Sequence, residues 1–339
     1  MQTMRLGRTG LEVSRTGFGA LPIQRVDMET AKQILRRAYE GGITFYDTAR
    51  GYSDSEEKLG AALADVRDEI VVATKSSGAQ DRVSLLARLE ISLEKLQTDH
   101  VDLLQLHNPA GLPDPDDPES LYAGLLEAQA AGKARFIGIT QHKLDTALAA
   151  ARSGLYDTVQ FPLSAISSAD DLALVDVCRE HDVGVIAMKA LSGGLITNAR
   201  LAFAALRPFT NLVPIWGVQR ESELEEFLAL EADPPEMDTA LREEIEHLRV
   251  ELSGDFCRGC GYCLPCPADI PIPMAARMTY LIRRSPSAPF FSAEWQERMQ
   301  RIEDCIECGH CRDNCPYELD TPALLKRMLA GYRELALQQ

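Results

Sequence analysis

The stretch EIVVATKSSGAQDRVSLLARLEISLEKLQTDHVDLLQLH, residues 69–107, reads as strand, helix and strand. EIVVATK (69–75) and VDLLQLH (101–107) are short runs rich in β-branched and other apolar residues. Between them SLLARLEISLEKL (84–96) has the pattern of an amphipathic helix. The same alternation extends outward. Upstream lie GFGAL (17–21), the helix METAKQILRRAYEGG (28–42) and ITFYDTA (43–49). Downstream lie ARFIGIT (134–140), DTVQFPL (157–163), the helix ADDLALVDVCREH (169–181), GVIAMKA (184–190), a weaker strand NLVPIWG (211–217) and a last helix SELEEFLALE (222–231). About eight βα units in succession predict a (β/α)8 TIM barrel. An N-terminal β-hairpin, MRLGRTGLEV (4–13), precedes it, with Gly7 and Gly10 framing the turn.

The barrel is expected over residues 1–232, ended by Asp233-Pro234-Pro235. An acidic linker helix, DTALREEIEHLRVEL, dominates 233–254, and a different module occupies 255–339. That module contains PMAARMTYLIRR (273–284) as one helix, a Pro/Ser break at 285–289, SAEWQERMQRI (292–302) and a final helix TPALLKRMLAGYREL (321–335). With so little strand character it is predicted to be a small, mostly helical, ferredoxin-like domain that needs its metal to fold.

Eight of the nine cysteines fall in this module. Cys257, Cys260, Cys263 and Cys266 form C-x2-C-x2-C-x2-C-P, and Cys305, Cys308, Cys311 and Cys315 form C-x2-C-x2-C-x3-C-P. The second is the bacterial ferredoxin run for a four-iron cluster, whose fourth cysteine serves the other cluster. The proline after each run turns the chain away from the metal. Zinc sites usually pair two C-x2-C hooks across a long gap, and a third cysteine overfills such a knuckle. Disulfides fit poorly with an intracellular chain. The spacing thus predicts two [4Fe-4S] clusters with crossed ligands: Cys257, Cys260 and Cys263 with Cys315, and Cys305, Cys308 and Cys311 with Cys266.

The net charge is −16, yet from residue 255 onward ten Lys+Arg face eleven Asp+Glu, so nearly all the excess lies in the barrel. An acidic barrel repels a phosphate backbone, so no nucleic-acid partner is expected. No stretch is apolar for long enough to span a bilayer, and the N-terminus lacks a signal-peptide core. No membrane partner and a cytoplasmic location are therefore expected.

In a TIM barrel, polar residues at the C-terminal ends of strands are active-site candidates. Asp47 ends the second strand, with Tyr52 five residues on in its loop; Lys75 ends the third and His107 the fourth. A phenol with pKa ~10 is a poor acid at neutral pH. A neighbouring ammonium lowers that value, and a carboxylate keeps the ammonium charged and aimed. His107 would then hold and polarise the oxygen receiving the proton.

Over roughly residues 1–232 the chain resembles an aldo-keto reductase, through RLGRTGLEVS, GITFYDTARGY followed by SEEKLG, VVATK, VDLLQLHN and VIAMKALSGG. The whole resembles the subgroup with a C-terminal ferredoxin-like domain, for which CRGCGYCLPCP is typical. The resemblance implies that Asp47, Tyr52, Lys75 and His107 form the family's tetrad, with Tyr52 as proton donor. It also implies NADP(H) as cofactor, with NAD(H) as the alternative, and a small carbonyl or alcohol as substrate.

By the same resemblance Gln160 and the pair Thr140-Gln141 would hold the nicotinamide carboxamide, with Met188 covering the ring. Gly19 and Ala20, ending the first strand, are counted with these contacts. In GVQRESELEEF (217–227), Gln219 and Arg220 stand where the family grips the adenosine phosphate, Arg220 displaced by one position and Phe227 replacing an Asn. Trp216 would border the nucleotide pocket and His142 the active site. Cys178 is expected in the core, and His310 and Arg312 near the second cluster. Hydride carries two electrons whereas a cluster passes one, and no dinucleotide fingerprint for a mediating flavin is present. The clusters are then structural, or wire the enzyme to an electron-transfer partner protein. The alternative reading is a ferredoxin-linked enzyme working without nicotinamide; a further one is a non-catalytic Fe–S module.

Overall fold

Eight parallel strands follow one another around a closed barrel, and their sequence order is their spatial order. They are β3 (Gly17–Gly19), β4 (Phe45–Asp47), β5 (Val71–Lys75), β6 (Val101–His107), β7 (Ala134–Thr140), β8 (Thr158–Pro162), β9 (Gly184–Met188) and β10 (Leu212–Gly217), with β10 pairing back onto β3. The preceding hairpin pairs β1 (Thr3–Arg5) with β2 (Glu12–Ser14), antiparallel. The computed structural model describes residues 1–252, 256–284 and 288–337.

The barrel's helices are α1 (Met28–Glu40), α2 (Ser55–Leu63), α3 (Arg82–Leu96), α4 (Leu121–Ala130), α5 (Leu144–Ser153), α6 (Ala169–Glu180), α7 (Ala199–Leu206) and α8 (Glu221–Ala232). Asp27, Asp81, Ser120, Ser168 and Asn198 each cap a helix by accepting a backbone N–H from its first turn. Cys178 is buried on α6, as expected for a core residue.

Inside the barrel Phe45, Val71, Ala73, Leu103, Ile186, Val213 and Ile215 form one cluster with Met4, Leu6, Leu11 and Val13 of the hairpin. Each of these hairpin side chains contributes about 1.5–3 kcal/mol through burial. The hairpin turn fits because Gly7 has φ +52°, and a Cβ there would lie 2.2 Å from Gly184 N at the start of β9. The hairpin thereby closes the N-terminal end of the barrel, leaving the strands' C-terminal ends to carry a site.

Backbone contacts group Met1–Leu191 with Asn198–Met237, and Ser192–Thr197 with the chain from Asp238 onward. The second unit contains α9 (Thr239–Glu251), α10 (Ile272–Ala275), α11 (Met278–Arg284), α12 (Ala293–Gln300), α13 (His310–Asp313) and α14 (Thr321–Ala336), with no strand among its described residues. Its core is small: Ile270, Ile272, Met278, Met299, Ile302, Leu324, Leu325 and Tyr332 are buried with Cys263, and Cys257, Cys266, Cys305, Cys311 and Cys315 pack against them.

The single helix expected over 273–284 is in fact two. Arg277 Nε donates to Pro273 O at 2.7 Å, taking the carbonyl that the Arg277 amide would use in a continuous helix; the amide turns to Met274 O instead. The helix expected over 292–302 tightens to a 3-10 turn from Arg301. The Pro/Ser break expected at 285–289 lies partly outside the described residues.

Candidate active site and cluster-binding module

Parallel pairing sets Lys75 opposite Gln105 and His107 opposite Thr140, which in turn lies opposite Gln160. The Lys75 ammonium is fully buried and donates to Asp47 Oδ1 at 2.8 Å, to Oδ2 at 2.5 Å and to the Thr48 carbonyl at 2.7 Å. Burial pushes the Lys75 pKa down and the Asp47 pKa up, and attraction within the pair opposes both shifts. Gln105 Nε2 adds a 3.4 Å contact to Asp47 Oδ1, and Gln160 also donates to this carboxylate. Glu56, buried on α2, accepts from Thr74 Oγ1 at 2.6 Å and pairs with Arg50, adding negative charge that favours the charged Lys75.

Tyr52 is half-buried in the loop between β4 and α2. The Lys75 Nζ lies 5.2 Å from the centroid of its ring. Its edge meets the His107 ring at 5.8 Å and 82°. Burial, then the charges of Lys75 and Lys189, push His107 down to about 3, so the imidazole is neutral. Ser77 Oγ accepts the Gly51 N–H at 3.0 Å and lies 2.5 Å from His107 Nδ1. With the hydroxyl proton directed at Nδ1, the neutral ring carries its own proton on Nε2.

The residues expected to touch a nucleotide are more dispersed. Thr140, Gln141 and Gln160 are buried; Thr140 Oγ1 contacts Gln160 Oε1 at 3.4 Å, and Gln141 Nε2 donates to Pro109 O at 2.8 Å. Met188 ends β9 and is buried among the barrel's interior residues. Gly19 pairs with Asp47, and Ala20, fully buried, donates its N–H to the Asp47 carbonyl. His142 is buried, its N–H on Asn108 Oδ1. Trp216 is buried too, stacked on Phe227 at 4.5 Å.

At the start of α8 the Glu223 carboxylate accepts from the backbone N–H groups of Gln219 (3.0 Å) and Arg220 (3.2 Å), and from Arg220 Nε (2.9 Å) and Nη2 (2.5 Å). Loops after the last strands of TIM barrels commonly bind phosphate with these donors. Here a carboxylate of the chain holds them, which is a poor fit to a 2′-phosphate.

In the C-terminal module the cysteines line two small voids. One is bordered by Cys257, Cys260, Cys263, Cys311 and Cys315. The other is bordered by Cys305, Cys308, Cys311, Cys263 and Cys266. Among the described residues no three His, Cys, Asp or Glu side chains converge as one metal ion requires. Five thiols drawn from both runs around each void exceed the four that a zinc ion takes and fit neighbouring multi-atom clusters. His310 borders the second void, and Arg312 is exposed beside it.

Ser77, Gln105, Glu56 and Lys189 were not singled out by sequence. Ser77 lies two residues past a strand-end lysine and Lys189 one past the end of β9, weak signals; Gln105 and Glu56 gain their place only through cross-strand and helix packing.

The fold and rim geometry define a TIM-barrel protein with an acid–base constellation, joined to a cysteine-rich module. The chain belongs to the aldo/keto reductase family, whose profile matches residues 15–212, and residues 256–320 match a 4Fe-4S dicluster domain. It is similar to the aldo-keto reductase YhdN of Bacillus subtilis (strain 168), at 30% identity over 220 residues, covering 58% of this chain and 64% of that one. It is also similar to the L-galactose dehydrogenase of Arabidopsis thaliana, at 34% identity over 212 residues, covering 57% and 66%. The chain thus spans just under two thirds of the length of these relatives. Among solved structures, the holo form of aldo-keto reductase AKR11C1 from Bacillus halodurans matches with a TM-score of 0.61 at 21% identity, covering 73% of this chain and 96% of that one; this likeness shows the fold. No helix among the described residues is long and apolar enough to cross a membrane.

Proposed function

We propose that the barrel reduces an aldehyde or ketone with hydride from a nicotinamide cofactor, and that the C-terminal module carries two [4Fe-4S] clusters. The carrying observation is the buried Lys75 ammonium, held by Asp47 and set 5.2 Å from the Tyr52 ring. A bound reduced nicotinamide supplies hydride to the carbonyl carbon, with Gln160 and Thr140 as the residues to hold its carboxamide.

The substrate oxygen is polarised by the N–H on Nε2 of neutral His107. As negative charge develops there, the Tyr52 hydroxyl donates its proton. The phenolate that remains is stabilised by Lys75, and Asp47 keeps that ammonium charged in a site where burial alone would discharge it. Closing the barrel floor with apolar side chains excludes water from below and strengthens each of these interactions. The substrate class is a small carbonyl or alcohol; the name of the Arabidopsis relative makes aldose sugars the first panel to try.

Two voids lined by thiols of both runs support the cluster reading: each is bordered by three cysteines of one run and two of the other, which is compatible with the crossed ligand sets. Hydride chemistry itself does not call for the clusters, and a partner that exchanges single electrons with them is part of the proposal. The second reading is a ferredoxin-linked reduction without nicotinamide; the hold of Glu223 on Arg220 weighs against a 2′-phosphate and not against NADH.

Calorimetric titration of anaerobically purified holoprotein with NADH and NADPH separates the two. Saturable binding of either nucleotide, with about eight irons per chain, supports the proposal. Binding of neither removes the nicotinamide step.

A further inference from the structure

Two arginines distinguish the cysteine sets. Arg277 is buried, and its guanidinium donates to Gly193 O at 2.5 Å and to Pro273 O at 2.7 Å. It lies flat against the first cysteine loop: a Cβ on Gly259 would stand 2.8 Å from its guanidinium carbon, so that only glycine, here at φ +67°, fits between Cys257 and Cys260. Arg258 lines the same void, its guanidinium 4.2 Å from the Tyr317 ring centroid and 4.9 Å from that of Phe256. The described lining of this void contains no carboxylate. The lining of the other void has Glu307 and His310 but no Lys or Arg, and its Cys308 is exposed to solvent.

We infer that the two clusters are electronically inequivalent, and that Arg277, with Arg258, raises the reduction potential of the cluster held by Cys257, Cys260, Cys263 and Cys315. The inference rests on the reading that both voids hold [4Fe-4S] clusters. Reduction adds one electron, and hence one negative charge, to a cluster. A cation fixed nearby at low dielectric stabilises the reduced state more than the oxidised one. The Gly259 N–H, 3.3 Å from Cys257 Sγ, acts in the same direction, since hydrogen bonds to cluster sulfurs are among the levers on potential. Glu307 acts oppositely on the second cluster, softened by its 3.0 Å pair with Lys326. Electrons taken up at the exposed Cys308 cluster therefore run downhill to the arginine-flanked one. Arg277 is a tuning residue in this role, its charge acting on Cys257.

The test is a dithionite titration of the anaerobically reconstituted full chain, followed by electron paramagnetic resonance, each cluster taking one electron from dithionite. The wild type is expected to show two midpoints, and Cys315→Ser to abolish the higher one. Arg277→Gln should lower the higher midpoint so that the reduced-to-oxidised ratio at fixed potential falls about tenfold, ~59 mV for a one-electron couple, leaving the lower midpoint in place. Arg277→Lys, which keeps the charge, should restore most of the shift; a merely structural role would not distinguish charge in this way. Should Arg277→Gln fail to take up iron, Arg258→Gln, at a half-buried position, reads the same effect at smaller size. Coincident wild-type midpoints, or an equal shift of both in the variants, overturns the inference while leaving the clusters intact. Absence of any cluster signal in iron-loaded wild type overturns the cluster reading and this inference together.

Discussion

Ser77 Oγ stands 2.5 Å from His107 Nδ1 while accepting the N–H of Gly51, the residue before Tyr52. One hydroxyl thus orients the proposed oxygen-polarising imidazole and anchors the loop that carries the proposed acid. Ser77→Ala should lower kcat by about tenfold, the worth of one positioning hydrogen bond at ~1–1.5 kcal/mol, with KM little changed. Steady-state kinetics on the reconstituted enzyme checks the split.

Lys75 and Asp47 are both buried, so removing one leaves the other charged and unpaired. Lys75→Met should cost about 3–5 kcal/mol of stability and nearly all turnover. Adding Asp47→Leu should recover much of the stability but none of the activity. Urea unfolding of the single and double variants measures this.

The His107 pKa of about 3 lies far below the usual 6.5. As pH falls through 6.5 the unfolded chain takes up a proton that the native imidazole refuses. Stability that is full above that pH is therefore lost progressively toward the native value. Urea midpoints measured from about pH 7.5 down to about pH 5 should decline less steeply for His107→Gln than for wild type. Equal slopes would show that the native imidazole titrates normally.

Glu223 already fills the donors at the start of α8. The wild type should bind NADH more tightly than NADPH, and Glu223→Ala should improve NADPH binding about tenfold, ~1.4 kcal/mol, without a like gain for NADH. Calorimetry of both nucleotides with both proteins reads it. A wild type that prefers NADPH contradicts this account of Arg220.

The barrel was legible because each unit, such as 69–107, carries its periodicity locally, and strand-end Asp47, Lys75 and His107 follow from where the runs stop. The cysteine runs were legible for the same reason, since their spacing is itself the signal. What escaped depends on register and packing. Gln105 matters because it pairs with Lys75 across β5 and β6, and Glu56 because α2 buries it against Thr74. Arg220 looked available for phosphate until the helix geometry set Glu223 against it. Arg277 looked like an ordinary helix residue; only folding turns its guanidinium onto Pro273 O and breaks the predicted helix.

The most direct test of the central claim is single-turnover reduction of a carbonyl substrate by Tyr52→Phe holoprotein, with cluster content and nucleotide affinity measured on the same sample. The account predicts wild-type iron and nucleotide binding with turnover reduced by at least about 100-fold, the scale of lost general-acid catalysis. Turnover at the wild-type rate would contradict it, and the proton would have to come from elsewhere.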